Sequence, residues 1–216
     1  MNKLILAFCL MVASSIFAVA QSTDYKKYEA YVGFSNNQID TGVDSGNDIR
    51  SFFNDRRSFN GFEAAGVYNF HRYVGAKVDV SGTYRNRTQT LAFNTGTTTA
   101  TFTSEAKRSA YNVLGGIQVK DNSSNARIKP FAHGLVGLGH QRINLRNVSC
   151  TGVAACPSFI TNGSDSGFAG AFGGGLDVKV SDRVDIRAVQ VDYNPVWFGD
   201  GATQHNVRFG VGVVFK

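Results

Sequence analysis

The most restrictive feature of this sequence is a strict alternation of apolar and polar side chains over short segments. It is clearest in residues 73–85, where one set of alternate positions is apolar or small and the other includes Lys77, Asp79 and Arg85. The first set consists of Val74, Ala76, Val78, Val80, Gly82 and Tyr84. Because successive side chains of a β-strand point to opposite faces of the sheet, the pattern predicts a strand with one greasy and one charged face.

The same alternation recurs along the chain and predicts eight strands. A tight turn at His71-Arg72 joins the strand described above to a preceding one in residues 59–70. Further two-faced segments lie in residues 28–35, 111–119, 168–180 and 206–215. Two others are less regular. The apolar face switches within 183–193, which a β-bulge near Arg187-Ala188 would explain, and the outward face of 128–140 stays open.

The predicted connections between these strands alternate in length. Short connections fall at residues 71–72, 121–127 and 181–183, and long polar ones at 36–58, 86–104, 141–166 and 194–205. Short turns at one rim and long loops at the other are typical of an outer-membrane barrel. No segment has the 3.6-residue period of an amphipathic helix. The predicted fold is therefore all-β, an eight-stranded antiparallel up-and-down transmembrane β-barrel.

The first twenty residues have the organisation of a secretory signal peptide. Lys3 precedes an apolar run from Leu4 to Val12, and the small residues Ala18-Val19-Ala20 close the segment. We expect cleavage between Ala20 and Gln21. A membrane anchor is disfavoured because a spanning helix needs about 20 apolar residues with retained flanks. The predicted organisation is a signal peptide in 1–20, a short lead in 21–26 and the barrel in 27–216.

A soluble eight-stranded barrel that holds an apolar ligand would show the same alternation, with its apolar face turned inward. Three features favour a membrane barrel. Aromatic residues cluster near strand ends, the apolar faces of the assigned strands carry no charge, and the opposite faces carry nearly balanced charge. We predict that these charges fill the lumen as ion pairs. They are Glu29, Glu63, Lys77, Asp79, Arg85, Asp177, Lys179, Asp185, Arg187, Asp192 and Arg208.

Several segments give the chain a resemblance to a known family. They are residues 61–70, 73–75, 130–133, 187–193 and 207–209. With these segments the sequence resembles the small porin-like outer-membrane β-barrel proteins, which are similar to the opacity and OmpA-type membrane domains. The resemblance implies both termini in the periplasm, four loops at the cell surface, and Phe215 as the terminal aromatic residue recognised by the barrel-assembly machinery. Members of this fold serve as adhesins, structural proteins, small channels or, rarely, lipid-modifying enzymes.

The long connections are where we expect function, because loops on a rigid scaffold carry recognition. Cys150 and Cys156 lie in a Gly/Ser/Asn-rich stretch of an exported chain, and we expect them to form a disulfide. Aromatic and cationic residues in the loops are suited to binding protein, sugar or lipopolysaccharide. They are Phe52, Phe53, Arg56, Arg57, Trp197 and Phe198. For Trp197 and Phe198, interfacial anchoring is an equally good interpretation.

The sequence offers little chemistry for catalysis. His205 near Asp200 is the one arrangement of a base and an acid in a loop that merits naming, and the histidines lack metal-ligand spacing. The formal net charge is +6 with the basic residues scattered, so nucleic acid is not an expected partner.

We therefore predict a non-enzymatic outer-membrane protein, without metal or cofactor, that contacts outer-membrane lipid and lipopolysaccharide. Its expected role is structural or one of surface interaction, with an extracellular ligand whose identity the sequence leaves open. A small channel is the first alternative, although an eight-stranded interior is only wide enough for its own side chains. A soluble barrel that binds an apolar ligand is the second alternative.

Overall fold

The computed structural model describes residues 25–40, 55–94, 99–123, 126–152 and 162–216, which form a closed barrel of eight antiparallel strands. The strands are β1 (Tyr28–Asp40), β2 (Arg56–Asn69), β3 (Val74–Asn94), β4 (Thr99–Lys120), β5 (Ile128–Thr151), β6 (Gly163–Lys179), β7 (Val184–Phe198) and β8 (Thr203–Phe215). Each strand pairs with the next, and β8 closes the barrel on β1. The predicted fold is confirmed. Among the described residues there is no helix long and apolar enough to cross a membrane.

Some predicted features lie outside the described residues. They are the signal peptide with its cleavage site at Ala20 and Gln21, the loop residues Phe52 and Phe53, and Cys156.

The predicted apolar faces form the outside of the barrel. In β3, Val78 is 58% exposed and Val80 is 40% exposed, whereas Lys77 and Asp79 beside them are buried. Large apolar side chains are exposed on every strand of the barrel, among them Val32, Phe62, Val113, Leu138, Phe172, Val191 and Val211. A soluble barrel that holds an apolar ligand would bury these residues, so that alternative finds no support.

The structure explains why the alternation of apolar and polar residues is irregular in β5 and β7. In β5 the outward positions include Val136 and Leu138, but Phe131 and Leu135 point inward, so both faces carry apolar residues. In β7 the register against both neighbours shifts next to Arg187, and Ala188 and Val189 are both exposed. The predicted β-bulge at Arg187-Ala188 is confirmed, and the apolar face changes parity there.

The strands β3, β4 and β5 are much longer than a membrane requires. They contain 21, 22 and 24 residues, whereas a tilted transmembrane strand needs about 9–11. The β3–β4 ladder runs to Asn94 and Thr99, and the β4–β5 ladder runs to Thr101 and Thr151. We call residues 85–94, 99–110 and 141–151 the sheet extension.

The predicted connections between strands are too long, because several strands continue into them. Much of the predicted loops 86–104 and 141–166 is strand, and the predicted loop 194–205 is reduced to residues 199–202 between β7 and β8. The physical reason is that a strand outside the membrane and clear of the core needs no apolar face. It is held by its ladder and by β-forming residues such as threonine, so period-two alternation is lost where the strand continues.

Candidate functional site

The barrel interior is organised around the guanidinium group of Arg208, which lies on β8 and is fully buried. Its Nη1 donates to Asp79 Oδ1 at 2.8 Å, and its Nη2 donates to Asp192 Oδ2 at 2.7 Å. Glu63 Oε1 lies 3.6 Å from Nη2. One cation therefore joins carboxylates from β2, β3 and β7, and links four strands across the lumen.

A second centre is the guanidinium group of Arg187, at the bulge of β7. Its Nε and Nη2 donate to the two carboxylate oxygens of Asp177 at 2.8 and 3.2 Å, the bidentate geometry that suits a planar guanidinium. The rings of Tyr31 and Phe131 lie on it, with centroids 4.2 and 4.0 Å from Cζ. Lys120 Nζ lies 3.1 Å from Asp177 Oδ2. The inward aromatic residues thus pack a charged centre rather than an apolar ligand.

Gln190 connects the two centres. Its amide oxygen accepts a hydrogen bond from Arg187 Nη1 at 2.7 Å, and its amide nitrogen donates to Glu63 Oε1 and to Asp192 Oδ2, both at 2.8 Å. Gln190 therefore joins the groups around Arg187 and Arg208 into one hydrogen-bonded network. Such a network stabilises a single packing of the interior only when its members are paired.

Other buried charges complete this network. Lys77 lies 3.4 Å from Asp79, and His133 Nε2 lies 2.9 Å from Asp192. Lys120 also pairs with Glu29 at 2.5 Å. Nearer the short turns, Asp185 is contacted by Lys129 at 3.5 Å and by Lys216 at 2.6 Å.

Apolar side chains pack in the interior between these charges and the sheet extension. Two of the buried apolar clusters lie further along their strands than the ion pairs do. One consists of Ile39, Phe59 and Ala110, and the other of Leu114, Leu135, Ala169, Ala171 and Val196, with Phe198 packed against it. The buried amides of Asn37, Asn112 and Asn194 lie at the same level, where Asn194 accepts hydrogen bonds from the other two. The described interior therefore holds ion pairs in one part, and apolar side chains with hydrogen-bonded amides in the next.

The structure places nine of the eleven predicted lumen charges in the buried interior, and moves two out of it. Arg85 lies in the sheet extension, where its Nη1 donates to the Ser58 carbonyl at 3.1 Å. Lys179 lies at a short turn, 2.7 Å from Asp182. Both continue the inward alternation of their strands, but they sit past the ends of the packed interior.

Sequence reasoning missed the buried side chains of Lys120, Lys129 and His133. Lys120 follows the outward Val119, so continued alternation would have placed it inside the barrel. Lys129 and His133 lie on β5, whose faces were left open. Charge could have identified the inward face of β5. Lys129 and His133 are four residues apart and so lie on the same face of the strand, and neither side chain belongs on a lipid-facing surface.

The short-turn end carries its own polar contacts, outside the membrane-spanning segments. Asp121 Oδ1 accepts hydrogen bonds from the Ser123 backbone N–H at 3.0 Å and from Arg72 Nε at 3.2 Å. The backbone hydrogen bond from Ser123, with a further contribution from Arg72, lowers the pKa of Asp121 below its ordinary value. This contact ties the β2–β3 turn to the β4–β5 turn.

Aromatic side chains on the outer surface pair across neighbouring strands at both ends of the greasy band. Tyr28 and Tyr68 have ring centroids 5.4 Å apart near the short turns, and Tyr84 and Tyr111 lie 5.6 Å apart near the sheet extension. Such belts mark the two membrane interfaces of outer-membrane barrels. Phe215 is also exposed on the outer face, at the end of β8.

The predicted recognition residues that the structure describes separate into different environments. Trp197 is on the outer face of β7, 5.6 Å from the Phe168 ring, and so is an interfacial residue rather than a loop residue. Phe198 also belongs to β7 and packs towards the interior. Arg56 is buried, lies 3.9 Å from Asp40 and donates to the His205 carbonyl, so it stabilises the rim. Arg57 alone of these is a charged residue exposed at the rim.

The sheet extension holds an arginine cluster, defined here as Arg85, Arg87 and Arg108. Arg85 and Arg108 stand directly opposite each other in the β3–β4 register, and Arg87 is two residues further along the same face. Desolvation, followed by the positive charges of Arg87, Arg57 and Arg108, lowers the pKa of Arg85. Among the described residues, no carboxylate forms an ion pair with any member of the cluster.

In the described residues, His205 and Asp200 do not form the arrangement of base and acid that their proximity in the sequence suggests. His205 Nδ1 lies 2.5 Å from Tyr193 OH, and Asp200 Oδ1 accepts a hydrogen bond from the Ala202 backbone N–H at 2.9 Å. His205 and Asp200 thus have separate partners. No cluster of three potential metal ligands occurs within the part of the chain that the structure describes. Cys150, at the end of β5, is disulfide-bonded, and its pairing with Cys156 stays a prediction.

A closed eight-stranded barrel with a charged interior, a greasy exterior and aromatic belts is an integral barrel of the bacterial outer membrane. The family model described as outer membrane protein beta-barrel domain matches residues 6–215, and the chain belongs to that family. No match was found among curated proteins.

Solved structures with the same fold include two surface proteins. One is Ail, the attachment invasion locus protein of Yersinia pestis, in complex with the heparin analogue sucrose octasulfate. It is 17% identical, with a TM-score of 0.50 over 88% of this chain and 100% of that one. The other is Neisserial surface protein A, which is 10% identical, with a TM-score of 0.51 over 90% and 99%. These similarities support the fold.

Proposed function

We propose that this protein acts at the cell surface through its sheet extension and loops, and that its barrel is an anchor rather than a channel. The observation that carries the proposal is the interior. A continuous ion-pair and hydrogen-bond network around Arg208 and Arg187 fills one part of the described interior, and packed apolar and amide side chains fill the next. An eight-stranded barrel is only wide enough for such side chains.

The sheet extension supports the proposed action at the cell surface. Three strands continue for about ten residues beyond the aromatic belt, which at roughly 3.3 Å per residue projects a rigid surface well clear of the lipid. A protein whose only role was to fill the membrane would not need this surface. The complex of Ail with a sulfated sugar shows that a protein of this fold has been captured with an extracellular type of ligand.

The partners follow from the same geometry. We infer that the exposed apolar band contacts outer-membrane lipid and that the aromatic belt beside the sheet extension meets lipopolysaccharide at the outer leaflet. We also infer that Phe215 is the residue recognised by the barrel-assembly machinery. We assign no catalytic role and no cofactor to the protein.

Planar-bilayer recording tests the anchor. The refolded protein, freed of lipopolysaccharide, should give no unitary conductance under conditions in which a general porin conducts. A steady conductance that disappears when the protein is omitted would overturn the proposal and favour the small channel.

A deletion tests the role of the sheet extension. Removing residues 89–104 shortens the β3–β4 hairpin between the cross-strand partners Thr88 and Glu105 and leaves the membrane-spanning ladder in place. Cells that display the shortened protein should lose adhesion to immobilised extracellular matrix. Adhesion equal to that of cells with the full protein, at equal surface amounts, would contradict the role given to the sheet extension.

A further inference from the structure

The arginine cluster places like charges where a sheet normally avoids them. Arg85 and Arg108 are cross-strand partners, and Arg87 lies two positions along on the same face. Like charges directly opposite each other in a ladder are destabilising, and opposite charges are the stabilising choice. Elsewhere in this protein, buried guanidinium groups each face a carboxylate, as Arg208 faces Asp79 and Asp192.

Within the part of the chain that the structure describes, no acidic side chain forms an ion pair with the arginine cluster. Among the described residues, the acidic side chain nearest in sequence to Arg108 is Glu105, which belongs to the opposite face by alternation and accepts a hydrogen bond from Asn147. The contact of Arg85 with Ser58 uses one of its five N–H donors, so its remaining donors stay available. Three guanidinium groups thus share a small area with spare donors.

The face on which the cluster lies points away from lipid. Arg85 is two residues beyond Thr83, and Arg108 is two residues before Ala110, and both Thr83 and Ala110 are buried inside the barrel. The cluster is therefore on the surface that continues the inner wall. Lys107, Arg142 and Arg146 have the opposite parity and continue the lipid-facing wall. Phosphates of lipopolysaccharide around the barrel face the second set, whereas a ligand that arrives from the medium meets the first.

The donor chemistry selects the class of ligand. Guanidinium groups bind sulfate and phosphate oxygens through parallel N–H donors. The Cα atoms of the cluster are about 5 to 8 Å apart, which are the spacings of cross-strand, alternate and diagonal neighbours in a ladder. A ligand with several anionic groups close together can therefore contact all three arginines at once. Ile143 is the cross-strand partner of Arg108 and adds an apolar surface on the same side for a sugar ring.

We propose that Arg85, Arg87 and Arg108 form a binding site for a sulfated oligosaccharide on the inward-facing side of the sheet extension. The site rests on the proposed surface role and names its ligand class. Such a site also gives a role to the like charges of Arg85 and Arg108 in cross-strand positions.

The experiment is calorimetric titration of the refolded protein, free of lipopolysaccharide, with sucrose octasulfate. The test variant is Arg85→Gln, Arg87→Gln and Arg108→Gln combined. The matched control is Lys107→Gln, Arg142→Gln and Arg146→Gln combined, which removes the same charge from the opposite face of the same sheet. Heat-dependent gel mobility shows that all three proteins are folded.

The test variant should bind sucrose octasulfate at least tenfold more weakly than the parent protein, and the control variant within twofold of it. Binding should weaken as salt rises, and unsulfated sucrose should not bind. An equal loss of affinity in both variants would mean that only the net charge of the protein matters, and would overturn the proposed site. Unchanged affinity in the test variant would also overturn it.

Two further arms separate the alternatives. If the test variant loses binding to lipopolysaccharide vesicles but still binds sucrose octasulfate, the cluster is a lipopolysaccharide site and the proposal is wrong.

An adhesion assay separates the oligosaccharide site from the broader surface role. If cells that display the test variant adhere as well as cells with the parent protein, the surface role stands and the oligosaccharide site falls as the cause of adhesion. If cells with the parent protein do not adhere at all, the surface role itself falls.

Discussion

The lumen and the sheet extension treat positive charge in opposite ways. In the lumen, Arg208 and Arg187 each face a carboxylate at 2.8 Å or less, and both are almost fully buried. In the sheet extension, Arg85 faces Arg108, and water has access to the cluster. Positively charged side chains at inward-facing positions therefore have two roles. Where the interior supplies a carboxylate partner, the charge stabilises the fold. Where it supplies none, the charge is available to a ligand.

The largest expected effect separates the two regions by stability. Arg208→Met leaves Asp79, Asp192 and Glu63 without their guanidinium group, and should lower the free energy of unfolding by about 3–5 kcal/mol. Equilibrium urea unfolding in lipid vesicles, followed by the fluorescence of Trp197, measures this loss. Arg108→Met is the control and should change stability by less than about 0.5 kcal/mol. Similar losses in both variants would erase the distinction between the lumen and the sheet extension.

A substitution on the outer face locates the boundary between the regions. Val78→Arg places a charge in the lipid-facing band, and should cost about 2–4 kcal/mol near the membrane midplane. Thr88→Arg, on the same face of the same strand but in the sheet extension, should cost less than about 0.5 kcal/mol. The same unfolding measurement applies to both. A large loss at Thr88 would mean that the membrane reaches further along β3.

The disulfide tests whether the sheet extension has a stability of its own. Cys150→Ser should lower stability by about 2 kcal/mol if Cys150 and Cys156 close a small loop. The change should appear as faster hydrogen exchange in the sheet extension, with the strands around the lumen unaffected. Peptide mapping without reduction identifies the partner of Cys150, and a linkage to any residue other than Cys156 would show the predicted pairing to be wrong.

The smallest effect concerns Asp121 at the short turns. Because its pKa is lowered in the folded protein, Asp121 stabilises the fold at pH values above the ordinary carboxyl pKa, and this contribution is lost as the pH falls through the folded value. Asp121→Asn should therefore cost less than about 1 kcal/mol at neutral pH, since the contact is exposed and screened. In a pH series of unfolding curves, the difference between variant and parent should vanish once the pH has fallen below the lowered pKa of Asp121. A difference that grows at acid pH would contradict the assignment.

Much of the barrel can be predicted from the sequence, because each membrane-spanning strand must present an apolar face to lipid and a second face to the packed interior. Residues 73–85 show both faces, and the structure gives them the predicted sides. The sheet extension could not be predicted in this way, because residues 86–94 lie outside both constraints. Trp197 was placed in a loop for the same reason, since Pro195 and Val196 interrupt the expected alternation at the rim.

The contents of the interior were less predictable than its boundary. Nine of the eleven charges predicted for the interior lie there. The sequence does not indicate that Arg208 contacts residues as distant along the chain as Glu63 and Asp79. Strand order fixes which side chains share a level only after tilt and register are known. Phe131 and Leu135 on the inner face concealed Lys129 and His133, since apolar packing around charged groups looks like a lipid-facing pattern.

The position of Arg208 has a consequence for how the chain assembles. It lies on β8, the strand that closes the barrel on β1, while its three carboxylate partners lie on β2, β3 and β7. Until β8 docks, those carboxylates lack this counter-charge and a partly built barrel carries excess negative charge inside. Closing the seam and neutralising the interior are thus a single event, so the final strand makes assembly cooperative and disfavours the persistence of an open, incomplete barrel.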